Sequence, residues 1–239
     1  HWNIQEHNMK IFIGWDSKQQ IASQVCEYSL RANSLGELDI VHLKRNDLVL
    51  SGDYFRRDGD PSSTEFTYCR FLAPYLCGYK GWSMFVDSDF LFTADIGELF
   101  NTVYGQRGHK KRAAYCVKHL EYTPKSDTKF YGEPQLTFPK KNWSSLIIFN
   151  NEHPSTRQLT PMSVSNRSPQ WLHRFNWLNE EAGELGTLPT TWNWLVGEYN
   201  YVESPPLGIH FTNGGPFNEV HGQDYEGLWN KYMKEMMSK

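Results

Sequence analysis

The chain is 239 residues long, 39% hydrophobic and 21% charged, a composition that excludes a disordered tail, a coiled coil or a collagen-like repeat. Its 24 basic and 27 acidic residues leave a formal net charge of −3, which argues against a general nucleic-acid binder, since those are basic. Four cysteines without a C-x-x-C pair point neither to a zinc knuckle nor to a disulfide scaffold, and reduced thiols fit the cytoplasm best. No run approaches the roughly 18–20 apolar residues of a membrane span, and no secretory pattern opens the chain. Expected, then, is a cytoplasmic protein with no membrane span. Nothing in its polar surface calls for obligate assembly, so a monomer is expected. Aromatic residues are abundant at 15%; flat rings serve a core, and they also bind sugar faces and nucleobases.

His1–Asn8 reads as an extension ahead of the domain. Met9–Gly14 is a strand-like apolar run, and Lys18–Ala32 carries apolar residues at helical spacing. Asp39–Leu43 reads as a second strand, so the chain opens strand–helix–strand, the pattern of a parallel sheet covered by helices. Asn46–Ser62 is polar and rich in Gly and Asp, hence a loop. Ser63–Leu76 reads as a helix capped by Ser62 or Ser63. Trp82–Val86 is a buried-strand run, Ile96–Phe100 a short helical turn, Ala113–Lys118 a strand and Ser145–Asn150 another. Trp171–Asn179 reads as a helix, Gly208–Phe211 as a short strand and Asp224–Met237 as a closing amphipathic helix. With no repeat and no linker, residues 9–239 are expected to form one α/β domain. Its parts are a ligand-binding half over 9–105, a second half over 106–217 and a terminal helix over 218–239.

Asp87-Ser88-Asp89 follows the third strand directly. Ligands of open α/β sheets sit outside the carboxyl ends of the strands. In an extended segment residues i and i+2 point the same way, so two carboxylates can face one hard cation, which prefers oxygen ligands. Two solvated aspartates in a turn would produce the same triplet. The flanking residues are more specific. Thr64–Leu99 carries Arg70, then Pro74 among apolar residues, then a strand, the D-x-D, and Asp95-Ile96-Gly97-Glu98-Leu99.

This order and spacing resembles the retaining glycosyltransferases of family eight and their relatives. The opening Ile11–Ser17 and the element Gly208–Phe217 resemble that family as well. The resemblance implies a GT-A fold, a Rossmann-like, mostly parallel central sheet flanked by helices. It further implies a divalent cation, commonly Mn2+ (or Mg2+), a nucleotide-diphosphate sugar donor, most plausibly a UDP-sugar, and a carbohydrate or glycoconjugate acceptor. Asp87, Asp89 and His210 would be the metal ligands. Trp15, Asp16, Arg70 and Ser88 would lie on the donor side, though Asp16 can equally cap the following helix and Arg70 can form an ordinary salt bridge. The family carries a Lys where Gly215 precedes Pro216 here; the backbone N–H groups of Gly214 and Gly215 can partly replace it at the diphosphate.

On the acceptor side Asn150, Trp192 and Asn193 are the named candidates. Trp143, Trp177, Trp192 and Trp194 can form a sugar platform or simply pack in the core. Asn179 and Glu180 are the candidate catalytic residues, with Glu181 an alternative carboxylate. Retention proceeds by same-face attack or through a glycosyl-enzyme, which requires a carboxylate beside the anomeric carbon. A sugar-nucleotide pyrophosphorylase would show a G-x-G-T-R-type loop after the first strand, where Gly14-Trp15-Asp16-Ser17 stands instead. A nucleotide-sugar-binding protein or hydrolase with little transferase activity is the other alternative. His119 shows no metal-ligand spacing.

Overall fold

The computed structural model describes residues 9–57, 59, 62–119 and 140–238; the expected extension over 1–8 lies outside them. The chain begins with β1 (Lys10–Gly14) and α1 (Gln20–Asn33), whose Ala22, Val25, Cys26, Ser29 and Leu30 form one buried face at helical spacing. β2 (Asp39–Leu43) buries only Leu43, as suits an edge strand. Residues expected as a loop from Asn46 begin instead with α2 (Arg45–Ser51). It buries one residue, Leu48, and ends on Gly52 at φ 81°, whose N–H donates to the Val49 carbonyl. So short a helix shows no period to read, and its glycine stop is its clearest trace.

The helix expected over Ser63–Leu76 is broken into turns, a 3-10 segment Cys69–Leu72 and α3 (Ala73–Leu76). Pro74 has no N–H to return to Arg70, so the chain tightens and Ala73 donates to the Arg70 carbonyl instead. Neither Ser62 nor Ser63 caps a helix here. β3 (Trp82–Val86) and β4 (Phe90–Phe92) follow, then α4 (Ile96–Gly105), longer than expected and capped by Asp95 through the Gly97 N–H at 2.9 Å. Next come β5 (Ala114–Cys116), β6 (Leu146–Asn150), α5 (Pro161–Asn166) and α6 (Pro169–His173). The helix expected over Trp171–Asn179 ends early because Phe175 takes a positive φ of 59°. β7 (Leu185–Thr187), β8 (Trp194–Leu195), β9 (Gly208–His210) and α7 (Glu226–Met237) complete the described elements.

The main sheet has the order β2-β1-β3-β6-β5-β7. β6 is antiparallel to both β3 and β5, while the remaining pairs are parallel; five of six strands therefore share a direction. Alternate residues serve opposite faces, and both faces are buried. Phe12, Phe85, Ile147 and Phe149 join a core with Phe71, Leu72, Val164 and Leu172. Ile13, Met84, Val86 and Ile148 join the other with Cys26 and Leu30 of α1 and Leu99 and Val103 of α4. A second sheet, β4-β9-β8, packs Leu91, Val196 and Ile209 with Val25 of α1 and Trp229 of α7.

Candidate active site

Val86 pairs with Leu146, so the chain leaves the carboxyl end of β3 directly into Asp87-Ser88-Asp89. The turn is anchored at both ends: Asp87 N–H donates to the Ser145 carbonyl at 2.8 Å, and the Asp89 carbonyl accepts from Phe211 N–H at 3.0 Å. Ser88 is buried between them. β4 then pairs with β9, Phe90 opposite His210, which brings an imidazole from the far end of the sequence beside the two carboxylates. Ligating atoms of Asp87, Asp89 and His210 all lie within 4.8 Å of one another.

His210 is 1% exposed and lies nearly parallel to the Phe90 ring, centroids 4.4 Å apart. Its Nε2 is 3.3 Å from Asp89 Oδ1. That oxygen is buried, and no hydrogen bond from a described residue reaches it. A buried carboxylate oxygen facing an imidazole nitrogen without a donor between them is a costly arrangement that a cation relieves. Two carboxylates and one imidazole form a donor set suited to a divalent metal, and these three residues fit one.

Arg70 is buried behind the turn. Its Nη1 lies 2.8 Å from Asp87 Oδ1 and donates to the Ser144 carbonyl at 2.7 Å, while Nε donates to the Thr67 carbonyl at 2.9 Å. Its guanidinium sits 4.9 Å from the Phe85 ring centre. Asp16 caps no helix: its carboxylate accepts from the N–H groups of Lys18 (2.9 Å) and Glu65 (3.2 Å), tying the turn after β1 to the segment before Arg70. Trp15 packs edge-on to His42 at 5.0 Å, with the Lys44 ammonium 4.8 Å from its ring centre. A cleft of about 220 Å³ opens beside Asp16, with Lys18, Arg45, Arg56 and Tyr68 in its lining; the Asp-Asp-His group lies outside that lining.

Several expectations need correction. Asn150 stands opposite Trp82, at the far end of β3 from the D-x-D, and its amide donates to the carbonyls of Lys110 and Arg112. Four residues of strand separate it from Leu146, about 13 Å, so it stands away from the Asp87-Ser88-Asp89 turn. Trp192 is 2% exposed and belongs to the core, as does Trp177; large rings fill a core before they line a surface. Asn193 is fully buried and bonds His210 rather than facing outward. Of the two glycines expected at the diphosphate, Gly214 donates its N–H to the Phe211 carbonyl at 2.9 Å. At Gly215 an added Cβ would come within 2.6 Å of the Phe217 ring, which would have to shift to admit it.

Asn179 and Glu180 lie on an exposed turn. The Asn179 side chain accepts from Ala182 N–H, and Glu180 pairs with Lys140. His119, set aside from the sequence, stands three residues past the end of β5. It is 7% exposed, with Nδ1 2.5 Å from the Tyr199 hydroxyl. Burial, and after it the nearby charge of His210, pulls its pKa down to about 3. Its signal was positional: like Asp16 and Asp87, it follows the carboxyl end of a parallel strand.

A GT-A-type glycosyltransferase fold is what this sheet order, with an acidic pair at its carboxyl edge, defines. Over 96% of its length the chain superposes on the bifunctional glycosyltransferase WbbM (TM-score 0.61, 17% identity), spanning 51% of that chain. Coverage is again 96% for GlyE of Streptococcus pneumoniae (0.60, 13%), of which it spans 62%, and for the galactosyltransferase LgtC (0.57, 11%), of which it spans 96%. At these identities the likeness is one of fold. No protein-family model matches the chain. In sequence it is 40% identical over 231 residues to Protein CDI of Arabidopsis thaliana, covering 95% of this chain and 86% of that protein. The chain belongs to the family of Protein CDI.

Proposed function

We propose that this protein is a metal-dependent, retaining hexosyltransferase that uses a UDP-sugar of glucose or galactose type and a carbohydrate or glycoconjugate acceptor. The observation that supports it above all is the Asp87, Asp89 and His210 group at the carboxyl edge of a glycosyltransferase fold. Those three residues would hold Mn2+ or Mg2+. When bound, the cation supplies a Lewis acid for the charge that develops on a departing diphosphate.

Asp16 holds the turn after β1, on the nucleotide side, and the cations of the adjoining cleft favour an anionic ligand. Arg70 pairs with Asp87 and aims its carboxylate. Glu180 is engaged by Lys140, and same-face attack with the leaving phosphate as base asks for no enzymic nucleophile. The working unit is one domain over 9–239, a cytoplasmic monomer with no nucleic-acid partner; no helix among the described residues is long and apolar enough to cross a membrane.

A second reading, a binding protein or hydrolase with little transfer, draws on the diphosphate end. Gly215 stands where a lysine is expected, and the Gly214 N–H is already bonded. Calorimetry with UDP and GDP, with and without Mn2+, beside a nucleotide-release assay on a panel of nucleotide sugars, tests both. Mn2+-dependent UDP binding with release accelerated by an acceptor supports transfer. Release that no acceptor accelerates supports the hydrolase, and absence of binding overturns both.

A further inference from the structure

We infer that Asn193 is a positioning residue that sets the tautomer and aim of His210, an inference that rests on the metal reading above. The hydrogen bonds allow one orientation of the Asn193 amide. Its nitrogen donates to the Asn142 carbonyl at 3.2 Å and to Ser145 Oγ at 2.9 Å. A carbonyl only accepts, and the Ser145 hydroxyl spends its own proton on that same Asn142 carbonyl at 2.6 Å, so Ser145 Oγ must accept from Asn193. The nitrogen is thereby fixed, and the oxygen faces His210 Nδ1 at 2.9 Å.

An amide oxygen opposite Nδ1 requires the proton there. In a neutral imidazole that leaves the lone pair on Nε2, the nitrogen directed at Asp89. Phe90 fixes the plane of the ring from its face, and Asn193 fixes its rotation from its edge. The same network reaches the first aspartate, because the Ser145 carbonyl receives the Asp87 N–H. Asn193, fully buried just before β8, thus ties the ligand on β9 to the turn after β3. Hydrogen-bond partners of metal-binding imidazoles act in this way, and their loss typically costs 10–100-fold in metal affinity.

The test is imidazole nitrogen NMR on the metal-free full chain, with His210 assigned through His210→Gln, together with Mn2+ titration. In the unaltered protein, at a pH where the ring is neutral, Nδ1 should carry the proton and Nε2 should not. Asn193→Ala should mix the tautomers and weaken Mn2+ binding by about 10–100-fold. Asn193→Asp, which still offers an oxygen to Nδ1, should keep the tautomer and recover most of the affinity. If Asn193→Ala does not fold, Asn193→Leu, which fills nearly the same space and offers no oxygen to Nδ1, takes its place with the same expectation. A folded variant with unchanged tautomer and affinity within twofold overturns the inference. Failure of the unaltered protein to bind Mn2+ overturns the metal reading instead, and the metal-free spectra still decide the role of Asn193.

Discussion

Arg70 and Asp87 form a largely buried ion pair, Nη1 to Oδ1 at 2.8 Å, with the side chains 7% and 16% exposed. The arginine is shared between a carboxylate and two backbone carbonyls, of Thr67 and Ser144. It therefore braces the turn that carries the aspartates, beyond any contact with a ligand. Arg70→Ala leaves a partly buried carboxylate without its partner; such a loss costs about 3–5 kcal/mol where the pair is fully buried, and the 16% exposure of Asp87 puts the expected cost below that. Urea unfolding measures it; a loss under about 1 kcal/mol would show that Asp87 does not depend on Arg70.

Asp89→Asn keeps the shape of the side chain and removes its charge. Mn2+-dependent UDP binding should fall at least tenfold while the urea midpoint stays close to that of the parent. Calorimetry showing equal affinity in the two proteins would remove Asp89 from the ligand set.

Gly208 begins β9, two residues before His210, where an added Cβ would lie 2.3 Å from the backbone oxygen of Trp192. Backbone cannot yield as a flexible side chain does, so Gly208→Ala should cost about 1–3 kcal/mol or more and displace His210 from Asp89. Gly36→Ala, with nothing within 4 Å of the new Cβ, serves as the near-neutral control. Equal unfolding midpoints for the two variants would contradict the packing of β9 on Trp192.

His119 predicts a pH dependence whose sign is fixed. Its pKa is depressed to about 3 by burial first and His210 second, while the unfolded chain takes up this proton near pH 6.5. Between those values the unfolded state binds more protons, so stability falls as the solution is acidified, by up to about 1.4 kcal/mol per pH unit. Glu27, held at about 2 chiefly by its hydrogen bond to His42, loses its contribution in the same direction, but only below about pH 4.5. The window from 6.5 to 4.5 isolates His119. Urea unfolding of His119→Gln across that window should show a slope smaller by about one proton, and an unchanged slope would refute the buried neutral imidazole.

The strands were legible because their residues are buried on both faces and read as short apolar runs: Trp82–Val86 and the Leu146–Asn150 core of the Ser145 run stand close to where they were expected. Helices shorter than two turns were not, since Arg45–Ser51 shows no period and Pro74 cuts the segment that looked continuous. At the site, the pair Asp87 and Asp89 announces itself by following a strand. His210 carries no such local mark and became visible only through the resemblance. Asn193 was named on the acceptor side, and its bond to His210, like the part played by Ser145, was out of reach for a physical reason: such partners are chosen by the packing of distant strands.

The pairing of Phe90 with His210 joins residues more than a hundred positions apart. During synthesis on the ribosome, the first two ligands emerge long before the third, and a cation meets its full set only after β9 has docked. Under the proposed metal reading, a bound cation would then clasp the two sheets: at a hundredfold excess over its Kd it would add about 2.7 kcal/mol to the folded state, more than many single side chains contribute.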